Sequence, residues 1–246
     1  MARLAAAGFA IISCAQDPTN DTPRALADAL ALGPMFTPPQ YRNSPHINQG
    51  VSRIGTDHAT RGHPAFGQTS GQALHSDGTL QRIGQVKTAM LVCVRPAASG
   101  GASRLFNAVG AFVELLDGDP AAAAALTAPD VLVRTSNLEH SRGQSMAGPA
   151  FAVADGRLIS RYSVTATDRY DDTAVTDPAA LYRALAFLHE AAQPGSRHLL
   201  EFTLAAGQAL LLANDLISHG RAAYTNDPDR PRLMLRALFT QVRQVP

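Results

Sequence analysis

Strand-like segments in this chain are short, numerous and spread along its whole length, whereas the helical signals are few and grouped. Apolar runs rich in β-branched residues occur at Gly8–Cys14, Val86–Val94, Val131–Thr135, Ala150–Ala154, Leu158–Tyr162, His198–Leu204, Ala209–Asn214 and Leu233–Val242. Asp155-Gly156 lies between two of them and predicts a hairpin turn. Asp119-Pro120 and Asp177-Pro178 each place a capping carboxylate before a proline, the start signal of a helix. After the second, Leu181, Ala184, Leu185 and Leu188 recur at helical spacing and define one packed face. Asp21–Leu32 and Asn107–Leu116 are further helix candidates. Helices that do not alternate with strands argue against a doubly wound parallel sheet. The expectation is a mainly β fold with flanking helices, a sandwich or closed barrel.

Composition narrows the function more than the fold. Lys+Arg 21 against Asp+Glu 20 gives a net charge of +1 with no basic stripe, so no nucleic-acid partner is expected. No apolar run approaches the roughly 18 residues of a membrane span, so no membrane partner is expected either. Cys14 and Cys93 are too few for a disulfide framework, which points to a reduced, cytoplasmic protein. Arg3 and the apolar stretch to Cys14 have some likeness to a short signal peptide. Gly8 interrupts that stretch, and a first strand is the better reading. Residues 34–72, rich in Gly, Pro, Ser and Thr with weak strand signal, are expected to form a loop or lid over a site. His46, His58 and His63 within it, and His140, His189 and His198 elsewhere, read as ordinary solvated or hydrogen-bonded side chains.

Chemistry concentrates in four places. His75 and Asp77 form the only His-x-Asp/Glu of the sequence, and on an extended backbone residues i and i+2 share a face. His219 follows the strand at Ala209–Asn214. Two histidines and one carboxylate are the ligand set that holds iron on one face and leaves positions open. For His219 to join the other two, the fold must close across more than half the chain, so residues 1–246 are expected to form a single domain. Arg232 and Arg236 lie on one face of a strand with Met234 between them; turned inward, they need anionic partners. The alternative is an edge strand with solvated arginines. Ser99-Gly100-Gly101-Ala102-Ser103 offers a tight turn and a hydroxyl, but lacks the lysine and spacing of a phosphate loop.

Taken in order, His75-x-Asp77, Gly100-Gly101-x-Ser103, His219-Gly220-Arg221 and Arg232-x-Met234-x-Arg236 resemble the taurine dioxygenase and clavaminate synthase-like family of Fe(II)/2-oxoglutarate dioxygenases, over about residues 70–240. The resemblance implies a double-stranded β-helix (jelly-roll) core. It also implies Fe(II) on His75, Asp77 and His219, with 2-oxoglutarate and O2 taking the open positions. By the same resemblance Arg232 pairs with the distal carboxylate of 2-oxoglutarate, assisted by Ser103, and Arg236 meets an anionic group of the substrate. Arg230 is a competing choice for the first arginine, and the chain is short for the family. Arg161, in Ile159-Ser160-Arg161-Tyr162, is a further candidate for a substrate anion, with surface exposure as its ordinary alternative.

The expected activity is hydroxylation of an unactivated C–H bond in a small polar metabolite, such as an amino acid or natural-product intermediate. Two rivals use the same residues differently. One is a cupin-like metal-dependent isomerase or hydrolase that does not use 2-oxoglutarate; the other is a barrel that binds a small ligand without catalysis.

Overall fold

Alternation of side chains between two faces decides how the strands stack. The computed structural model describes residues 4, 7–42, 44, 46–56, 60 and 63–241; Arg3, His58 and Val242 lie outside them. The first strands in chain order are β1 (Phe9–Ser13), β2 (Ile47–Asn48), β3 (Val51–Gly55), β4 (Gln72–His75), β5 (Thr88–Arg95) and β6 (Ser99–Gly100). They are followed by β7 (Ser103–Phe106), β8 (Leu132–Thr135), β9 (Ser145–Gly148), β10 (Phe151–Ala154), β11 (Arg157–Ser160) and β12 (Asp168–Tyr170). The last are β13 (Leu199–Phe202), β14 (Gln208–Ala213), β15 (Ser218–Arg221), β16 (Tyr224–Thr225) and β17 (Leu233–Phe239). The helices are α1 (Thr22–Ala29), α2 (Ala108–Gly118), α3 (Pro120–Ala125) and α4 (Pro178–Ala191).

A six-stranded antiparallel sheet runs β1-β14-β5-β17-β3-β2, and a four-stranded one runs β13-β7-β15-β4. Met234 and Leu238 of β17, Ala89 and Cys93 of β5, and Leu210 and Leu212 of β14 form one apolar cluster with Leu105 of β7. That cluster is the layer between the two sheets. The alternate residues Leu235, Ala237 and Phe239, with Met90, Val92 and Leu211, pack on the other face with Ala27 of α1. Phe106, next to Leu105, points away from the inter-sheet layer into a third cluster with Phe112, Phe151, Leu181 and Leu188, where α2, α3 and α4 cover the smaller sheet. This is the period-2 division of a sandwich, each sheet backed by helix.

Local chemistry explains the ends of the elements. Asn107, Asp119 and Asp177 cap α2, α3 and α4 by accepting from the amides of Gly110, Ala122 and Ala180. The β10–β11 hairpin turns through Asp155 and Gly156, both at positive φ. Several strands carry no clear sequence signal. Residues 34–72 contain β2 and β3, and β3 pairs directly with β17. Its polar Ser52 and Arg53 break the apolar pattern, so the neighbouring strand rather than propensity fixes it there. β17 lies between β5 and β3 with all seven residues buried, and Arg232 just before it is buried too, which removes the edge-strand reading of both arginines. Among the described residues no helix is long and apolar enough to cross a membrane.

The turn at Gly100 shows how tightly β6 approaches the chain entering β16. Its φ is +71°, and a Cβ there would lie 2.3 Å from the Ala223 carbonyl oxygen. Gly143 has a φ of +81° but nothing within 4 Å. Gly143→Ala should therefore lose only the backbone penalty, about 1–2 kcal/mol. Gly100→Ala should lose clearly more in urea unfolding, because backbone must also move.

Candidate active site

β4 ends on His75, β15 carries His219, and their antiparallel register sets the two histidines directly opposite each other. The ring centroids are 4.4 Å apart. Asp77 follows Ser76, and its Oδ2 lies 3.6 Å from His219 Nε2. One ligand atom from each of His75, Asp77 and His219 falls within 4.8 Å of the others, a group that can hold a metal ion. The ladder shifts register just beyond His219. At Gly220 a Cβ would sit 2.6 Å from the Gln72 carbonyl oxygen, so glycine beside the histidine allows β4 to come this close.

The protonation states suit a metal. Burial drives the His219 imidazole down to about 3, aided by His75. Burial also lowers His75, against the opposing pull of Asp77. For Asp77 burial favours the neutral acid, yet Arg236 and the two imidazoles together hold the carboxyl below its usual range. Two neutral imidazoles and a carboxylate are the forms that coordinate iron. His75 Nδ1 lies 2.9 Å from the Ala73 carbonyl, which assigns the proton to that nitrogen and leaves Nε2 free as a ligand. Buried Asp77 Oδ2 and His219 Nδ1 have no hydrogen-bond partner among the described residues. The donor set therefore fits Fe(II).

Two buried residues fix the ligand-bearing backbone. Asn214 Oδ1 accepts from the Asp77 amide at 2.7 Å, while its Nδ2 donates to the carbonyls of Asp77 and Val86 at 3.1 and 2.9 Å. It ties the Asp77 turn to the end of β14, which leads to His219. Arg134 Nη1 donates to the Ser76 carbonyl at 3.0 Å, between the two neighbouring ligands. Its Nε pairs with Asp168 at 3.2 Å, both side chains almost fully enclosed.

Beside the triad lies a cavity of about 350 Å³. Its walls include Tyr41, His63 and Phe66 from the 34–72 segment, Arg134 of β8, Asn137 and Thr165 from the loops beside β8 and β12, and Arg236. Arg236 Nη1 donates to Asp77 Oδ1, Nη2 lies 3.4 Å from Ser52 Oγ, and its buried Nε has no partner among the described residues. Arg232 is also buried but stands apart from this cavity. Its guanidinium is 5.1 Å from the Tyr224 ring, and a Cβ on Gly101 would lie 3.7 Å from its Nε. Its buried Nη1 has no partner among the described residues. Ser103 lies on β7 opposite Arg221 of β15. Arg221 in turn holds the carbonyls of Gln68 and Ser70 at 3.0 and 2.8 Å, anchoring the end of the 34–72 segment.

Arg161 does not lie on the surface. It is buried, donates to the Met146 carbonyl at 3.3 Å, and is not among the residues lining the cavity. Arg134, Asn214 and the ring cluster of Tyr41, His63 and Phe66 carry no signal of their own in the sequence. His63 had the same look as the other loop histidines, and only its burial, at 2% exposure, sets it apart.

Over residues 1–238 the sequence matches the family described as Taurine catabolism dioxygenase TauD, TfdA family. The chain belongs to that family. It is an Fe(II)- and 2-oxoglutarate-dependent dioxygenase with a double-stranded β-helix core, acting on a small molecule. This decides against the isomerase, hydrolase and non-catalytic readings. A uridine-5′-phosphate dioxygenase of an Amycolatopsis species is 40% identical over 238 residues, covering 95% of this chain and 85% of that protein. A second, from a Streptomyces species, is 35% identical over 225 residues, covering 90% and 80%. The crystal structure of asparagine oxygenase with Fe(II), 3-hydroxyasparagine and succinate superposes with a TM-score of 0.65. It is 16% identical and covers 95% of this chain and 74% of that one, a likeness of fold.

The Arg134–Asp168 pair sets an expectation for stability. Burial raises the Asp168 pKa, but Arg134 and the donors of Ser163 and Thr165 outweigh it, and the net shift is downward. A depressed carboxyl stabilises the fold above its unfolded pKa of about 4, and that contribution is lost as pH falls through the lower folded value. Asp168→Asn leaves Arg134 buried without its counter-charge and should cost about 3–5 kcal/mol in urea unfolding at pH 7. The gap from wild type should shrink as pH drops below 4.

Proposed function

We propose that this dioxygenase, acting as one catalytic domain, oxidises a C–H bond of a nucleoside 5′-monophosphate, uridine 5′-phosphate first among them. The observation that carries this reading is the arginine-walled cavity beside the triad. At about 350 Å³ it lies in the range that encloses small ligands. Arg236 and Arg134 supply cationic groups for a phosphomonoester, and Thr165 and Asn137 supply neutral ones. Two relatives named for uridine 5′-phosphate, at 40% and 35% identity, support the nucleotide over an amino acid.

In this reading His75, Asp77 and His219 hold the iron, and Asn214 and Arg134 keep their backbone in place. Arg232 receives the distal carboxylate of 2-oxoglutarate, with Ser103 as a second donor; the unpartnered Nη1 of Arg232 suits that anion. Iron, 2-oxoglutarate and dioxygen together supply a two-electron oxidant, with the co-substrate leaving as succinate and carbon dioxide. The chain's own share is orientation and exclusion of water. Arg236, already paired with Asp77, would orient the phosphate through its unpartnered Nε. Tyr41 and Phe66 wall the cavity with ring surface.

Purified protein supplied with Fe(II), 2-oxoglutarate and oxygen should form succinate in step with consumption of uridine 5′-phosphate. Arg232→Ala should raise the KM for 2-oxoglutarate at least roughly tenfold, the loss of a charge-assisted hydrogen bond. Phosphate release would place the new oxygen on the carbon bearing the ester, since a hemiacetal phosphate collapses to an aldehyde. An intact hydroxylated nucleotide would place it elsewhere. Turnover driven by amino acids and not by nucleotides would overturn the substrate assignment.

A further inference from the structure

The 34–72 segment brings three rings to the cavity wall. His63 and Phe66 stack face to face, centroids 3.8 Å and planes 1° apart. Tyr41 lies within 12° of both planes at 6.0 Å from each, and His46 meets His63 edge-on at 4.9 Å. The Arg236 guanidinium is 4.8 Å from the Phe66 centroid, so the stack adjoins the cation that pairs with Asp77.

The backbone fixes the tautomer of His63. Its Nδ1 accepts from the amides of Ala65 at 3.1 Å and Phe66 at 3.0 Å, so that nitrogen carries no proton. Burial, with His46 and Arg236 nearby, pushes the imidazole down to about 3, so the ring is neutral. Nε2 must then carry the one N–H. That donor is buried, the ring lines the cavity, and Nε2 has no acceptor among the described residues. An enclosed donor without an acceptor is unfavourable, and a ligand or an ordered water supplies the missing partner.

We propose that His63 is a specificity residue whose Nε2–H donates a hydrogen bond to a carbonyl oxygen of the substrate's planar base. The proposal rests on the nucleotide reading above. A neutral donor among parallel rings suits the carbonyl edge of a heterocycle, whereas the phosphate is better matched to Arg236 and Arg134. A pyrimidine with two carbonyl groups presents such an acceptor on either side of its ring.

The test separates this donor from the loop it sits in. His63→Asn keeps an acceptor near the Nδ1 position, so the Ala65 and Phe66 amides stay paired, and removes the donor at Nε2. Its KM for uridine 5′-phosphate should rise roughly ten- to a hundredfold, with the KM for 2-oxoglutarate unchanged. With the wild-type protein, one of 2-thiouridine and 4-thiouridine 5′-phosphate, in which sulfur is a poor acceptor, should show a similar rise. His63→Asn should no longer discriminate against that analogue. A wild-type KM in His63→Asn, or equal KM values for both sulfur analogues and uridine 5′-phosphate in the wild type, would sink the assignment alone. If the wild type does not consume uridine 5′-phosphate at all, the nucleotide reading fails first and this proposal falls with it.

Discussion

The pairing of β4 with β15 is the contact on which the site depends. Strand register is discrete: a slip of one residue sends a side chain to the opposite face. With His75 opposite His219, one ladder rung joins residues far apart in the chain. Asn214 adds a second tie, from the end of β14 to the Asp77 backbone. The three groups therefore meet because main-chain hydrogen bonds put them there, and their side chains need little freedom of their own.

Around this cluster the space between the sheets is not uniformly apolar. Arg236 of β17 and Arg232 just before it are buried beside Met234 and Leu238. These two buried guanidiniums are tolerated for different reasons. Arg236 has Asp77 within reach, while Arg232 lies against the Tyr224 ring and keeps a nitrogen without a partner among the described residues. The apolar part of the layer gives rigidity, and the charged part sets two guanidiniums at a spacing fixed by the extended backbone. A near-neutral net charge is compatible with this, because the informative charges lie inside.

Much of this was legible in the residues. The caps at Asn107, Asp119 and Asp177 and the Asp155-Gly156 hairpin announce themselves through local chemistry, and β5, β14 and β17 through long apolar runs. His-x-Asp was visible because two residues on one extended strand share a face. What escaped notice depends on tertiary context. β3 is held by β17 rather than by its own pattern, and β4, β7 and β15, each four residues long, are too short to show periodicity. Arg134 looks like any arginine on a half-buried strand until Ser76 and Asp168 close around it. His63 looks like a loop histidine until the Ala65 and Phe66 amides claim one of its nitrogens.

Gly220 has a wider consequence. Because it lets β4 lie directly against β15, the ligand geometry is built by the scaffold and not by the ion. In small zinc-dependent domains metal binding supplies the folding free energy, and chelation unfolds the chain. Here the two backed sheets bear that load. Removing iron should therefore leave the sheets folded and the three ligands in place to take it up again.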